Sequence, residues 1–284
     1  MIPSAFEYKR ASSIDEAIVM LGESKGDGRL LAGGHSLIPL MKFRLSEPAV
    51  LIDIGQIAEL SGIHESGDRI TIGAMTRHAE IAGSELLLDR LPVLAETAAE
   101  IGDPQVRNRG TMGGSMAHAD PAADYPAVMV ALDAQLTILG SGGQRTVGAA
   151  EFFQDIFTVD LADDEAITSI DVPATRAAAY AKLHQPASHF AVVGVAAALQ
   201  VEDGVCQSAQ VGVTGLATHA QRLPTVEAAL TGQTLDEATI AAAADLAPDG
   251  IEDVNEDLHG SVAYRQQMAR VFARRAIEAA LARA

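Results

Sequence analysis

Two short runs constrain this chain more than anything else in it: Leu31–Leu37, LAGGHSL, and Ile101–Val128, IGDPQVRNRGTMGGSMAHADPAADYPAV. Each sets a glycine pair beside hydroxyl residues, Gly33-Gly34 with Ser36 and Gly113-Gly114 with Thr111 and Ser115. Paired glycines let backbone N–H groups close on a bulky anion with no Cβ between them. Taken singly, either pair is also what a tight turn looks like. Taken together, they read as two loops gripping one pyrophosphate. The second run adds an acid, Asp124, able to bind sugar hydroxyls.

The flanking pattern agrees. Arg29–Ala32 reads as a strand running into the first loop, and Ser36–Arg44 has helical apolar spacing after it. The loop thus meets a helix start, where free amides and the positive end of the helix favour phosphate. Further along, Ser12–Leu21 is a capped helix, Val50–Ile54 a buried strand and Arg69–Ile72 a strand entering a turn. Helices follow over Thr76–Gly83 and Leu91–Glu100, then a loop over 101–114, then a helix over Pro121–Ala131. Ala134–Leu139 and Gln144–Val147 form a hairpin, and Glu165–Val172 is a strand closed by Pro173. Beyond a boundary near 173–177 come long strands at 179–184, 191–202 and 205–216, and an Ala-rich helical tail from Thr225.

Composition excludes several classes. Lys and Arg number 20 against 38 acids, a net charge of −18, and aromatics are 4% with no Trp. Nucleic-acid binding needs the opposite balance and stacking platforms. The longest apolar stretch, Phe190–Leu199, is too short for a bilayer span and reads as a buried strand. The N-terminus lacks a signal-peptide layout, so a cytoplasmic protein is expected. The one cysteine, Cys206, allows no internal disulfide and no cysteine-ligated iron–sulfur cluster. It reads as a strand or hairpin residue. The eight histidines show no HxxxH pair, and no metal site is expected.

AGGHSLIPLMK at 32–42, TIGAMT at 71–76 and the 101–128 run resemble the FAD-binding medium subunits of molybdenum hydroxylases, the carbon monoxide dehydrogenase and xanthine dehydrogenase family. The resemblance covers nearly the whole chain, from IPSAFEY to YRQQMARVFARRAIEAAL. The GxGxxG of ordinary dinucleotide folds is missing. The resemblance implies an α+β fold: a two-lobed FAD-binding domain of the vanillyl-alcohol-oxidase type over 1–175, with lobes about 1–55 and 56–175, then a C-terminal antiparallel sheet with helices over 176–284.

It also implies the site. Ala32, Gly33, Gly34, His35, Ser36 and Leu37 would form the first pyrophosphate clamp, and Gly110, Thr111, Gly113, Gly114 and Ser115 the second. The family usually has Ile or Val at Met112 and often Asn at Ser115, so Ser115 keeps a donor but loses reach. Asp124 would bind the ribityl chain, or act as a helix N-terminal acid. The Thr76 hydroxyl would face the flavin, with Ile101 and Leu161 against its ring. Lys182 would lie near the pyrimidine end, or be a solvated strand lysine, and Phe190 would cover a ring face. His118 would hydrogen-bond the cofactor or line the loop, and Arg107 and Arg109 would brace it. A histidine in GGHS is covalently linked to flavin in some other flavoproteins. The closer resemblance implies non-covalent FAD.

By the same resemblance, the chain is an electron-transfer subunit. Substrate oxidation would occur at a molybdenum cofactor on a large chain, with [2Fe-2S] clusters on a small chain, in a dimer of heterotrimers. The alternative is a free-standing FAD-dependent oxidase on the same fold. A scaffold that has lost FAD is a third class, opposed by the intact glycine pairs and Asp124.

Overall fold

Three short parallel strands open the chain. β1 (Glu7–Arg10), β2 (Gly28–Leu31) and β3 (Val50–Asp53) form a sheet in the order β1-β3-β2, with helices α1 (Ile14–Ser24) and α2 (Leu37–Phe43) in the connections. α1 begins where the Ser13 hydroxyl accepts the Glu16 amide. Asp15 and Glu16 then sit in its first turn, at its positive end. The structure, a computed structural model, describes residues 1–284.

A second sheet follows. β4 (Ile63–Ser66) and β5 (Arg69–Gly73) lead into six helices: α3 (His78–Ala82), α4 (Glu85–Arg90), α5 (Pro92–Glu100), α6 (Pro104–Arg107), α7 (Met112–His118) and α8 (Asp124–Ala131). The chain returns through β6 (Gln135–Gly140) and β7 (Gly143–Gly148). It then passes α9 (Ala149–Phe152), the small hairpin β8 (Phe153–Asp155) and β9 (Thr158–Val159), and ends in β10 (Glu165–Pro173). The sheet is antiparallel throughout, in the order β4-β5-β10-β6-β7. Met75, just after β5, and Ala166, on β10, belong to the cluster under the first sheet, so the two lobes are packed together.

The loop expected over 101–114 is corrected here. Asp103 caps α6 by accepting the Val106 amide, with Pro104 at the first helical position. Thr111 caps α7 by accepting the Gly114 amide, so the second glycine pair lies in a helical first turn. Glycine's poor helix propensity hides such a helix from sequence. The helix expected from Pro121 starts instead at Asp124. Asp120 accepts the Ala122 amide in a turn before it.

The last strands are β11 (Ala178–His184), β12 (Ala191–Glu202), β13 (Val205–Thr214) and β14 (Gln221–Arg222), an antiparallel sheet in chain order. The β12–β13 hairpin turns on Asp203 and Gly204, both at positive φ, a pairing suited to a tight hairpin. Helices α10 (Pro224–Leu230), α11 (Glu237–Asp245) and α12 (Val262–Leu281) complete the chain. Cys206 lies buried on β13, within the strand or hairpin expected for it.

β12 explains the long apolar run. Val193, Val195, Ala197 and Leu199 pack with α12, while Ala196 and Ala198 face the core of the first unit, which includes α8. A strand covered on both faces loses the apolar–polar alternation of a surface strand. Every residue of α8 is buried for the same reason. Where α8 crosses β13 there is no room for a side chain, because a Cβ at Gly212 would overlap the Ala127 carbonyl oxygen. Gly212→Ala should therefore overpack this interface and lower stability by about 1–3 kcal/mol. Chemical denaturation of the variant against the parent chain measures it.

Candidate functional site

β2 delivers the chain to Ala32, and a turn through Ser36 leads into α2. Gly34 sits at φ +74°, where side chains are disfavoured. None of the amides from Ala32 to Leu37 has an acceptor within the chain, and Ser36 makes no side-chain cap bond. Successive free N–H groups at such a turn make an anion-binding concavity. His35 is exposed at its rim, its Nδ1 3.2 Å from the Gly33 carbonyl.

This loop lines one wall of a cleft of about 630 Å³ between the two lobes. Arg77, Arg109 and Thr111 line the facing wall. Neither arginine has an acidic partner, although the chain carries 38 acids. Two unpaired cations facing a row of free amides suit a diphosphate. Arg109 was expected to brace the loop. Instead it faces the cleft, while Arg107 does the bracing by donating to the carbonyls of Ile101 and Gly102 at 2.9 and 3.1 Å.

The second glycine pair does something other than expected. The amides of Met112, Gly113, Gly114 and Ser115 are bonded to Thr76 O, Ala74 O, Thr111 Oγ1 and Thr111 O. They are committed to the chain and do not face the cleft. A Cβ at Gly113 would stand 2.5 Å from the Ala74 Cβ, so this glycine lets α7 press on the turn after β5. Likewise a Cβ at Gly33 would overlap the Arg109 carbonyl oxygen and come within 2.9 Å of the Gly110 Cα. Both glycines permit backbone to meet backbone. Gly114 and Ser115 keep partial exposure.

Thr76 lies in the turn after β5. Its hydroxyl, 1% exposed, bonds both the amide and the carbonyl of Gly62 at 3.0 Å, and so faces the protein. Beside it His78 is buried under the second run, its amide bonded to Gly110 O at 3.0 Å and its Nδ1 without a partner. Burial pushes this imidazole down to about 4, helped by His35 and Arg107 nearby.

A second group of expected residues gathers around one ammonium. Lys182 Nζ, on β11, donates to Asp124 Oδ2 at 2.9 Å, to His189 O at 2.8 Å and to Glu100 O at 3.2 Å. Asp124 Oδ1 accepts from the Tyr180 hydroxyl at 2.6 Å. Asp124 is thus the buried first residue of α8, and each of its oxygens has a partner within the chain. Burial pushes its carboxyl up to about 6, against the opposing pull of Lys182. Lys182 is buried, contrary to a solvated strand lysine. Ile101 and Leu161 pack against the main core. His118 packs on Phe157 with ring centroids 5.1 Å apart, and burial lowers its pKa. Phe190 is exposed, lining a smaller cavity with Phe157.

Comparison with known proteins places this geometry. Residues 4–175 match the family described as the FAD binding domain in molybdopterin dehydrogenase, and 178–280 the CO dehydrogenase flavoprotein C-terminal domain. The chain is 40% identical over 286 residues to the carbon monoxide dehydrogenase medium chain of Hydrogenophaga pseudoflava, covering 100% of this chain and 99% of that one. It is 38% identical to the 6-hydroxypseudooxynicotine dehydrogenase complex subunit alpha of Paenarthrobacter nicotinovorans, covering 100% and 97%. Among solved structures, quinoline 2-oxidoreductase from Pseudomonas putida 86 superposes with a TM-score of 0.93 at 33% identity, covering 99% of each chain.

Two outcomes follow from the cleft. Gly33→Ala should force the lobes apart, with purified protein carrying less flavin and losing about 1–3 kcal/mol of stability. Absorbance ratios and denaturation read both. The second concerns His78, whose folded pKa lies below the ordinary histidine value. As pH falls through about 6.5 the unfolded chain takes up the proton first, so stability drains away toward about pH 4, on the order of 3 kcal/mol in all. Asp124, pushed up to about 6, acts oppositely over part of that range. His78→Leu should therefore lose less stability than the parent between about pH 7 and about pH 4.5. Urea denaturation at each pH isolates the difference.

Proposed function

The chain belongs to the FAD-binding medium subunits of the molybdenum hydroxylases, and from that membership we propose that it serves as the electron outlet of a multi-subunit oxidoreductase. In this reading a large chain oxidises substrate at a molybdenum cofactor and a small chain carries [2Fe-2S] clusters. Electrons arrive at FAD on this chain and leave to an external acceptor. The assembly would be a dimer of such heterotrimers in the cytoplasm. No helix is long and apolar enough to cross a membrane.

The observation that carries the reading is the row of free amides from Ala32 to Leu37, facing the unpaired Arg77 and Arg109 across the cleft. The amides would bind the pyrophosphate oxygens, and the arginines would neutralise its charge. When bound, FAD supplies reversible two-electron chemistry that can be discharged in single steps. The residues of this chain bind and orient it. With one cysteine, buried on β13, the chain cannot itself ligate an iron–sulfur cluster, so any cluster that feeds the flavin sits on a partner.

The full-length chain should purify yellow, and acid precipitation should leave the colour in the supernatant, since the FAD is held non-covalently. Alone it should not reduce its flavin with small organic substrates. Rapid reduction should require the large chain, the small chain and their substrate. Colour retained in the pellet would point to a covalent link at His35. Turnover-competent reduction by the isolated chain would replace the electron-outlet reading with a free-standing oxidase.

A further inference from the structure

The two unpaired arginines of the cleft hang from one clip of backbone. Arg77 and Thr111 oppose each other as a single antiparallel bridge. Two hydrogen bonds close it, Met112 N to Thr76 O at 2.9 Å and His78 N to Gly110 O at 3.0 Å. Arg77 is extended and exposed at the cleft, while its neighbours Thr76 and His78 are buried. Arg109 adjoins Gly110 on the other strand of the clip.

The His78 ring lies against that clip. A Cβ at Gly110 would stand 2.5 Å from His78 Nε2 and 2.7 Å from its Cδ2, so the Gly110 Cα rests on the imidazole. The same stretch meets the amide loop, because a Cβ at Gly33 would overlap the Arg109 carbonyl oxygen. The ring in turn packs nearly edge-on against Tyr125 of α8, which is fully buried, with centroids 5.3 Å apart. Each of the two keeps a buried polar atom without a partner, His78 Nδ1 and the Tyr125 hydroxyl. Unsatisfied polar atoms cost stability, and departures of this kind gather at functional sites.

We propose that His78 is a positioning residue for the diphosphate end of the cleft: its ring, backed by Tyr125, fixes the clip that carries Arg77 and Arg109, and with it the spacing of both cations from the Ala32–Leu37 amides. The proposal rests on the FAD-binding reading. In it His78 acts through the two arginines and does not itself touch the ligand.

The test is a mutant cycle on the full chain, stripped of FAD and titrated with FAD by flavin fluorescence, with inorganic pyrophosphate as a competitor. The variants are His78→Ala, the pair Arg77→Ala with Arg109→Ala, and all three together. His78→Leu takes the place of His78→Ala, under the same criteria, should that variant fail to fold. Denaturation verifies that each variant is folded under the titration conditions. The arginine pair should weaken FAD and pyrophosphate binding by at least about tenfold. His78→Ala should weaken both by on the order of tenfold, and the triple variant should bind no more weakly than the arginine pair. A His78 variant that is less stable yet binds FAD like the parent would reduce the residue to a structural filler and overturn the proposal. Losses that add in full would also overturn it, since His78 would then act by a route other than the arginines. An arginine pair that binds FAD like the parent would bring down the reading of the cleft itself, and this proposal with it.

Discussion

The cleft depends on a contact between bare backbones. The Gly33 Cα meets the peptide joining Arg109 to Gly110, with no room for a methyl group. That contact draws the small parallel sheet against the larger antiparallel one and sets the width of the cleft between them. On one side it leaves a turn whose amides have nowhere to bond inside the chain. On the other it leaves two arginines without acids. In a chain of net charge −18, unpaired cations turned to one cleft mark where negative charge is wanted.

Much of the fold can be read from sequence where one force decides the local outcome. The capped start of α1, the alternating strands β5 and β6 and the Asp203-Gly204 hairpin follow from hydrogen bonding, burial period and turn chemistry. So does β12, whose unbroken apolar run demands cover on both faces. What sequence hides is α7. Its glycine pair argues for a loop, and the helix exists because Gly113 gains a close seat on Ala74. Tertiary packing there outweighs propensity. The two-lobed arrangement came only through family resemblance.

The site divides in the same way. Ala32–Leu37 is legible because a glycine pair between strand and helix start has a direct chemical meaning. Arg77 escapes notice because a lone arginine after a turn looks like any surface arginine until it is seen sharing a cleft wall with Arg109. Asp124 and Lys182 each suggest a ligand when read alone. They prove to be each other's partner, joined across 58 positions of sequence that no local pattern spans. His78 gives no signal in sequence, since its lack of a partner is a property of the packed state.

The shared packing between the two units bears on how such a chain could be recombined. Ala178, Ala196, Ala198 and Ala220, from the last sheet and the turn beside it, belong to the same core as α8 and the sheet before it. Arg283, near the C-terminus, reaches back to Glu96 on α5 and to the Ala178 carbonyl. A graft cut at the short link after Pro173 would bring together two half-cores that never adjusted to one another. In chimeras between relatives, the last sheet should travel with the α8 that lies on it. In this chain the unit of exchange is a layer of packing, and the connecting segment is a poor guide to what is interchangeable.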